Sequence, residues 1–142
     1  MQQVAPATID QTLRFLRIVH GCLMVSIALY GFAMHVLSPQ APAPQNRNMP
    51  VIFAVLAAVT ITLAFYFRSR FIDSAFDRLR VRPDDTAALR HWRQGVLVSD
   101  VLAEAIALYG FGLYFMGGEI WQAVVFIVVA EVFMVLWWPR RP

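Results

Sequence analysis

At 142 residues the chain has the length of one domain, yet 59% of its residues are hydrophobic, only 15% are charged and its mean hydropathy is +0.59. A soluble globule of this size needs more charge on its surface, so the composition points to a membrane protein. The formal charge of +3 comes from twelve arginines and no lysine; their placement reads as a topology signal, and nucleic-acid binding is not expected.

Residues 1–7 read as irregular, with Pro6 near a helix start. Thr8 followed by Gln11 predicts a capping box that opens a helix, which carries Arg14 and Arg17 to the interface and runs into a first apolar span over about 18–37. The two arginines, the apolar run and "APA" at 41–43 imitate a signal peptide, but the run is too long for an h-region, so span 1 is expected to be retained. Cys22, the single cysteine, falls in this span; it has no partner for an internal disulfide and reads as a small core residue. Four prolines in "SPQAPAPQNRNMP" then predict a semi-rigid loop.

The second span covers about 50–67 and is expected to continue past the membrane. Phe71, Ile72, Ala75, Phe76 and Leu79 recur at helical spacing, with Asp73, Asp77, Arg78 and Arg80 on other faces. Pro83 disfavours helix at Arg82, and "DDT" at 84–86 offers an N-cap to the next helix. Helices 2 and 3 are thus predicted as antiparallel rods of about thirty residues each, which meet at a tight turn. The charged segment 68–94 reads as a solvated hairpin tip with interfacial arginines or as a docking surface for a soluble partner or anionic lipid. Spans 3 and 4, about 95–116 and 120–138, flank a "GGE" turn. Each span approaches the ~20 residues that cross a ~30 Å hydrocarbon layer.

Basic residues cluster before span 1 (Arg14, Arg17), between spans 2 and 3 (Arg68 through Arg93) and at the C-terminus (Arg140, Arg141), whereas the opposite side has only Arg47. The positive-inside rule therefore puts both termini and the 68–94 segment in the cytoplasm of a bacterial-type inner membrane. "IALYGF" occurs at both 27–32 and 106–111, and the same offset brings Arg14 onto Arg93. Both copies start on the same side, so the expected fold is all-α, a single four-span domain over 1–142 built from two tandem hairpins in a parallel repeat.

Polar groups inside these spans are the candidate functional residues. With a rise of ~1.5 Å per residue, Glu104 lies roughly 16 Å above Arg93 and Glu131 roughly 13 Å above Arg140, both near the bilayer midplane. Asp100 is one turn before Glu104 on the same helix face. Thr60 and Thr62 lie at similar depth, Ser26 is somewhat past the middle, and His20 and Ser99 are lower. An ionised side chain at mid-span is disfavoured by about 2.5–3.5 kcal/mol, so these acids must face protein, share protons, or both. Asp100 is placed to pair with Arg17, Arg93 or a protonated His20. Two readings stand: interhelical hydrogen bonds that hold helices together, and proton or cation handling. A metal site is not expected, since no ligand spacing such as H-E-x-x-H occurs. Haem is not expected either, because His20 and His35 are about fifteen residues apart on one helix and cannot share an iron. No cofactor is expected.

The segment "AEAIALYGF" at 103–111 resembles the second-helix motif of the proteolipid c subunits of rotary ATP synthases, where a glutamate is followed five positions later by tyrosine. The resemblance implies that Glu104 is an ion-binding acid and Tyr109 its supporting hydroxyl. It extends to a two-helix hairpin with a cytoplasmic Arg/Pro turn, here "RPDD" at 82–85. It covers about half the chain. Span 2 has alanines (Ala54, Ala57, Ala58, Ala64) where that family has glycines, and span 1 carries Val25 in place of the acid.

No nucleophile, base and orienting group occur together, so an enzyme is not expected. The functional expectation is proton or cation handling by Glu104, Asp100, Tyr109, Glu131 and His20; the alternative is a non-catalytic accessory or assembly subunit. The partners expected are the lipid bilayer, and either a second copy of the chain or a larger membrane complex.

Overall fold

A computed structural model describes residues 8–37, 48–82 and 84–141. The expectations for Pro6, for the loop at 38–47 and for Pro83 itself concern residues outside that set. Among the described residues all regular structure is helical. Helix α1 (Ile9–Val36) is followed by α2 (Met49–Arg68), a π-helical turn (Ser69–Asp73), α3 (Ser74–Val81), α4 (Thr86–Phe115) and α5 (Ile120–Leu136). The stretch from Met49 to Val81 is one continuous rod of 33 residues. Four helices therefore make the fold, three of them long and apolar enough to cross a membrane; α5 is apolar but has 17 residues.

Local chemistry accounts for the ends. The Gln11 amide donates to Thr8 Oγ1 at 3.3 Å while the Thr8 amide donates to Gln11 Oε1 at 3.2 Å, the reciprocal pair that the sequence predicts. Asp85 caps α4 by accepting from the amides of Ala87 and Ala88 at 2.9 and 3.1 Å, two of the donors that a helix start leaves unpaired. Between α4 and α5, Gly117 adopts a φ of 90°, which favours glycine. The Gly118 amide then closes the helix end on the Leu113 carbonyl at 2.9 Å.

Helix α4 is the hub. Some 44% of its apolar window is buried, against 17% for α1 and for the Met49–Val81 rod, and it packs on α1, α2, α3 and α5. Small residues make this possible. A Cβ on Gly95 would come within 2.8 Å of the Phe71 Cβ, and one on Gly110 within 2.7 Å of both the Ala123 carbonyl oxygen and the Phe126 Cβ. Gly95 thus admits the π-helical turn, and Gly110 admits α5. The periodicity over 71–79 is realised, with Ile72, Ala75 and Leu79 buried against Leu13, Leu16, Leu89 and Trp92.

The pairing differs from two tandem hairpins. Among the described residues α1 and α2 share no packed face; α1 lies on α4 and α5, and α2 lies on α4. Both helices instead take α4 as their common neighbour, whose buried Ala103 and Ala107 share one core with Ile27 of α1 and Ala57 and Ala64 of α2. Outward faces are apolar: Ile18, Val25, Leu29 and Phe32 on α1, Val51, Val55 and Val59 on α2, and Val124, Val128 and Val132 on α5 are all exposed, as a lipid-facing surface requires.

Candidate functional site

The intramembrane polar residues divide into three groups, each tying α4 to another helix. The most buried is His20 with Asp100, exposed by 0% and 1%. His20 Nε2 lies 2.8 Å from the Met134 carbonyl oxygen of α5. A carbonyl can only accept, so Nε2 carries hydrogen and donates to it. The other ring nitrogen, Nδ1, is 3.0 Å from Asp100 Oδ1. The approach is of ion-pair distance but lacks hydrogen-bond alignment: His20 Nδ1 and both Asp100 oxygens are buried with no hydrogen-bond partner among the described residues. The edge of Trp138 closes over the His20 ring, with centroids 5.2 Å apart. The Arg68 guanidinium, at the end of α2, acts electrostatically on both members of the pair.

One turn along α4, Glu104 faces α1. Ser26 Oγ donates to Glu104 Oε1 at 3.0 Å and the Tyr30 hydroxyl donates to the same oxygen at 2.8 Å. Ser26 and Tyr30, four residues apart on one helix face, are themselves 3.1 Å apart, so three oxygens form a closed triangle. Glu104 Oε2 has no hydrogen bond among the described residues and is the oxygen left for a proton or cation.

Tyr109, the tyrosine that motif spacing links to Glu104, is instead 3.2 Å from Thr60 Oγ1. Thr60 in turn donates to the Leu56 carbonyl, so this third group joins α4 to α2. Five residues on a helix advance 500°, which turns Tyr109 well away from Glu104. The tyrosine hydroxyl that reaches Glu104 is that of Tyr30, the equivalent position in the other "IALYGF" copy. Nothing in the spacing within α4 could reveal Tyr30; the repeated motif in α1 is the signal that points to it.

Glu131 is half-buried on α5. No hydrogen bond or ion pair joins it to Glu104 or to any other described residue, and the ionisable group that acts on it is His20. Asp100 pairs with His20 rather than with Arg17 or Arg93: the Arg17 Nε donates to the Pro139 carbonyl at 3.4 Å, and the Arg93 guanidinium lies over the Phe15 ring at 4.5 Å. Among the described residues no three His, Cys, Asp or Glu side chains are grouped to hold a metal ion.

Three helices long and apolar enough to cross a membrane, with apolar outward faces, point to a helical membrane protein. No family model, curated protein or solved structure matches the chain.

Proposed function

We propose that this chain handles protons within a bacterial-type inner membrane, with both termini and the α3–α4 turn in the cytoplasm and α5 as a fourth, short span. The observation that carries the reading is the buried His20–Asp100 pair, Nδ1 3.0 Å from Oδ1, sealed from water and one helical turn, ~6 Å, from Glu104. A proton held by this pair can sit on the ring or on the carboxyl with the same net charge, so it can shift between them without new charge in a medium that penalises it. Glu104, with Oε2 unengaged, is the neighbouring acid able to pass or receive a proton. The c-subunit-like motif around Glu104 supports the same assignment, with Tyr30 in the role of the hydroxyl donor. Catalysis of a covalent reaction is not part of this function.

The test is proton flux. Purified protein in vesicles with an entrapped pH-sensitive dye should dissipate an imposed pH gradient, and Glu104→Gln and Asp100→Asn should each remove that flux. Carbodiimide should label Glu104 in a pH-dependent manner. Flux equal to that of protein-free vesicles, with Glu104 unreactive, defeats the reading.

A second reading, an accessory subunit of a membrane complex, is favoured by the cytoplasmic tip. There Val81 is 79% exposed beside Asp77, Arg78, Arg82 and Asp85. Purification in mild detergent separates the two: a chain that runs alone, without a co-purifying partner, counts against it.

A further inference from the structure

A cleft at the cytoplasmic end of the bundle adjoins the proton-handling site through Arg68 and Trp138 but contains none of its titrating side chains. It lies between the junction of α2 with α3 and the end of α5, has a volume of about 240 Å³, and is lined by Arg68, Phe76, Val96, Trp137, Trp138 and Arg140 among others. A single buried water needs only roughly 10–15 Å³ of such volume, so the cleft has space for a larger group.

Its chemistry is uneven in a specific way. Arg68 and Arg140 repel one another across it, and neither guanidinium has a carboxylate within ion-pair distance among the described residues. Asp73 and Asp100 act on Arg68 from further away. Arg68 also stacks over the Trp137 ring, 5.4 Å from its centroid, which holds the guanidinium plane in place while its N–H groups stay available. Two like-charged guanidinium groups beside a cavity, one held by a ring and one exposed, are an arrangement that an anion would stabilise. The position narrows the anion: the cleft lies where the apolar run of α2 ends and Trp137 and Trp138 follow the end of α5, the level of a bilayer's headgroups, and Val96 and Phe76 give its walls an apolar side.

We infer that this cleft binds the phosphodiester headgroup of an anionic phospholipid, with Arg68 and Arg140 donating to the phosphate oxygens and Trp137 and Trp138 covering the adjacent glycerol and first acyl carbons. The inference does not rest on proton handling, although Arg68 and Trp138 also border the His20–Asp100 pair.

The experiment uses the full chain in neutral detergent, titrated with phosphatidylglycerol carrying brominated acyl chains, which quench tryptophan fluorescence on contact. Brominated phosphatidylcholine is the uncharged comparison, and inorganic phosphate is the competitor. Saturable quenching by phosphatidylglycerol is expected at concentrations roughly ten- to thirtyfold lower than by phosphatidylcholine, as two arginines at a headgroup allow. Arg68→Gln/Arg140→Gln should abolish that difference, and Arg140→Gln alone, an exposed position, should reduce it in a protein that folds normally. Arg82→Gln, at the remote turn, should leave it intact. Equal quenching by the two lipids, or unchanged preference in the double variant, overturns the site. Displacement of the lipid by millimolar inorganic phosphate overturns the lipid as occupant and leaves a free-anion site.

Discussion

Replacing His20 and Asp100 with leucine, singly and together, measures how strongly the buried pair is coupled. In Asp100→Leu the Nδ1 of His20 loses its only partner inside a site that is 0% exposed. An unsatisfied buried acceptor costs about 1–3 kcal/mol. In His20→Leu a carboxylate remains with no partner on either oxygen, and breaking a buried pair from one side costs about 3–5 kcal/mol. The double variant removes both polar groups; the Met134 carbonyl, in the last turn of α5, loses its His20 donor there just as in His20→Leu, so that loss cancels in the cycle. Its loss should fall well below the sum of the singles, and the coupling energy of the cycle should reach about 2 kcal/mol or more. Unfolding equilibria of the four proteins in one detergent, followed by loss of helical circular dichroism, give the cycle directly. Single losses that simply add, within about 0.5 kcal/mol, would refute the coupling of the pair.

Two further outcomes separate the copies of the repeated motif. Tyr30→Phe removes a donor to Glu104 Oε1 and should change the rate of carbodiimide labelling at Glu104, whereas Tyr109→Phe, which only frees Thr60, should leave it unaltered; equal effects would place the supporting hydroxyl elsewhere. Gly110→Ala presses a methyl against the backbone of α5 and should destabilise the bundle by about 1–3 kcal/mol in the same unfolding assay. Gly31→Ala, with nothing within 4 Å of the new carbon, should cost nothing measurable; comparable losses for both would remove Gly110 as the site of close approach.

Much of the fold can be read from the residues alone, because it depends on properties that are local along the chain. Apolar length sets the helices, Thr8 with Gln11 and Asp85 set two of their starts, and the spacing of Ile72, Ala75 and Leu79 carries α2 onward as one rod into the segment beyond the apolar span. The π-helical turn at Ser69–Asp73 has no such signature. It arises where Phe71 and Ile72 must seat over Gly95, and that demand comes from α4, more than twenty residues away.

The candidate site divides along the same line. Depth in the membrane follows from counting residues, so His20, Asp100, Glu104 and Glu131 can be named as candidates from sequence. Their partners depend on which way each helix is rotated and which helix it meets. Sequence presents "IALYGF" twice as equals; packing makes the copies different. Around one, Tyr30 reaches across to Glu104 and Gly31 faces open space; around the other, Tyr109 turns to Thr60 and Gly110 lies under α5. Only the tertiary arrangement could decide this, because hydrogen bonds between helices depend on rotation and contact and leave no periodic trace along one chain.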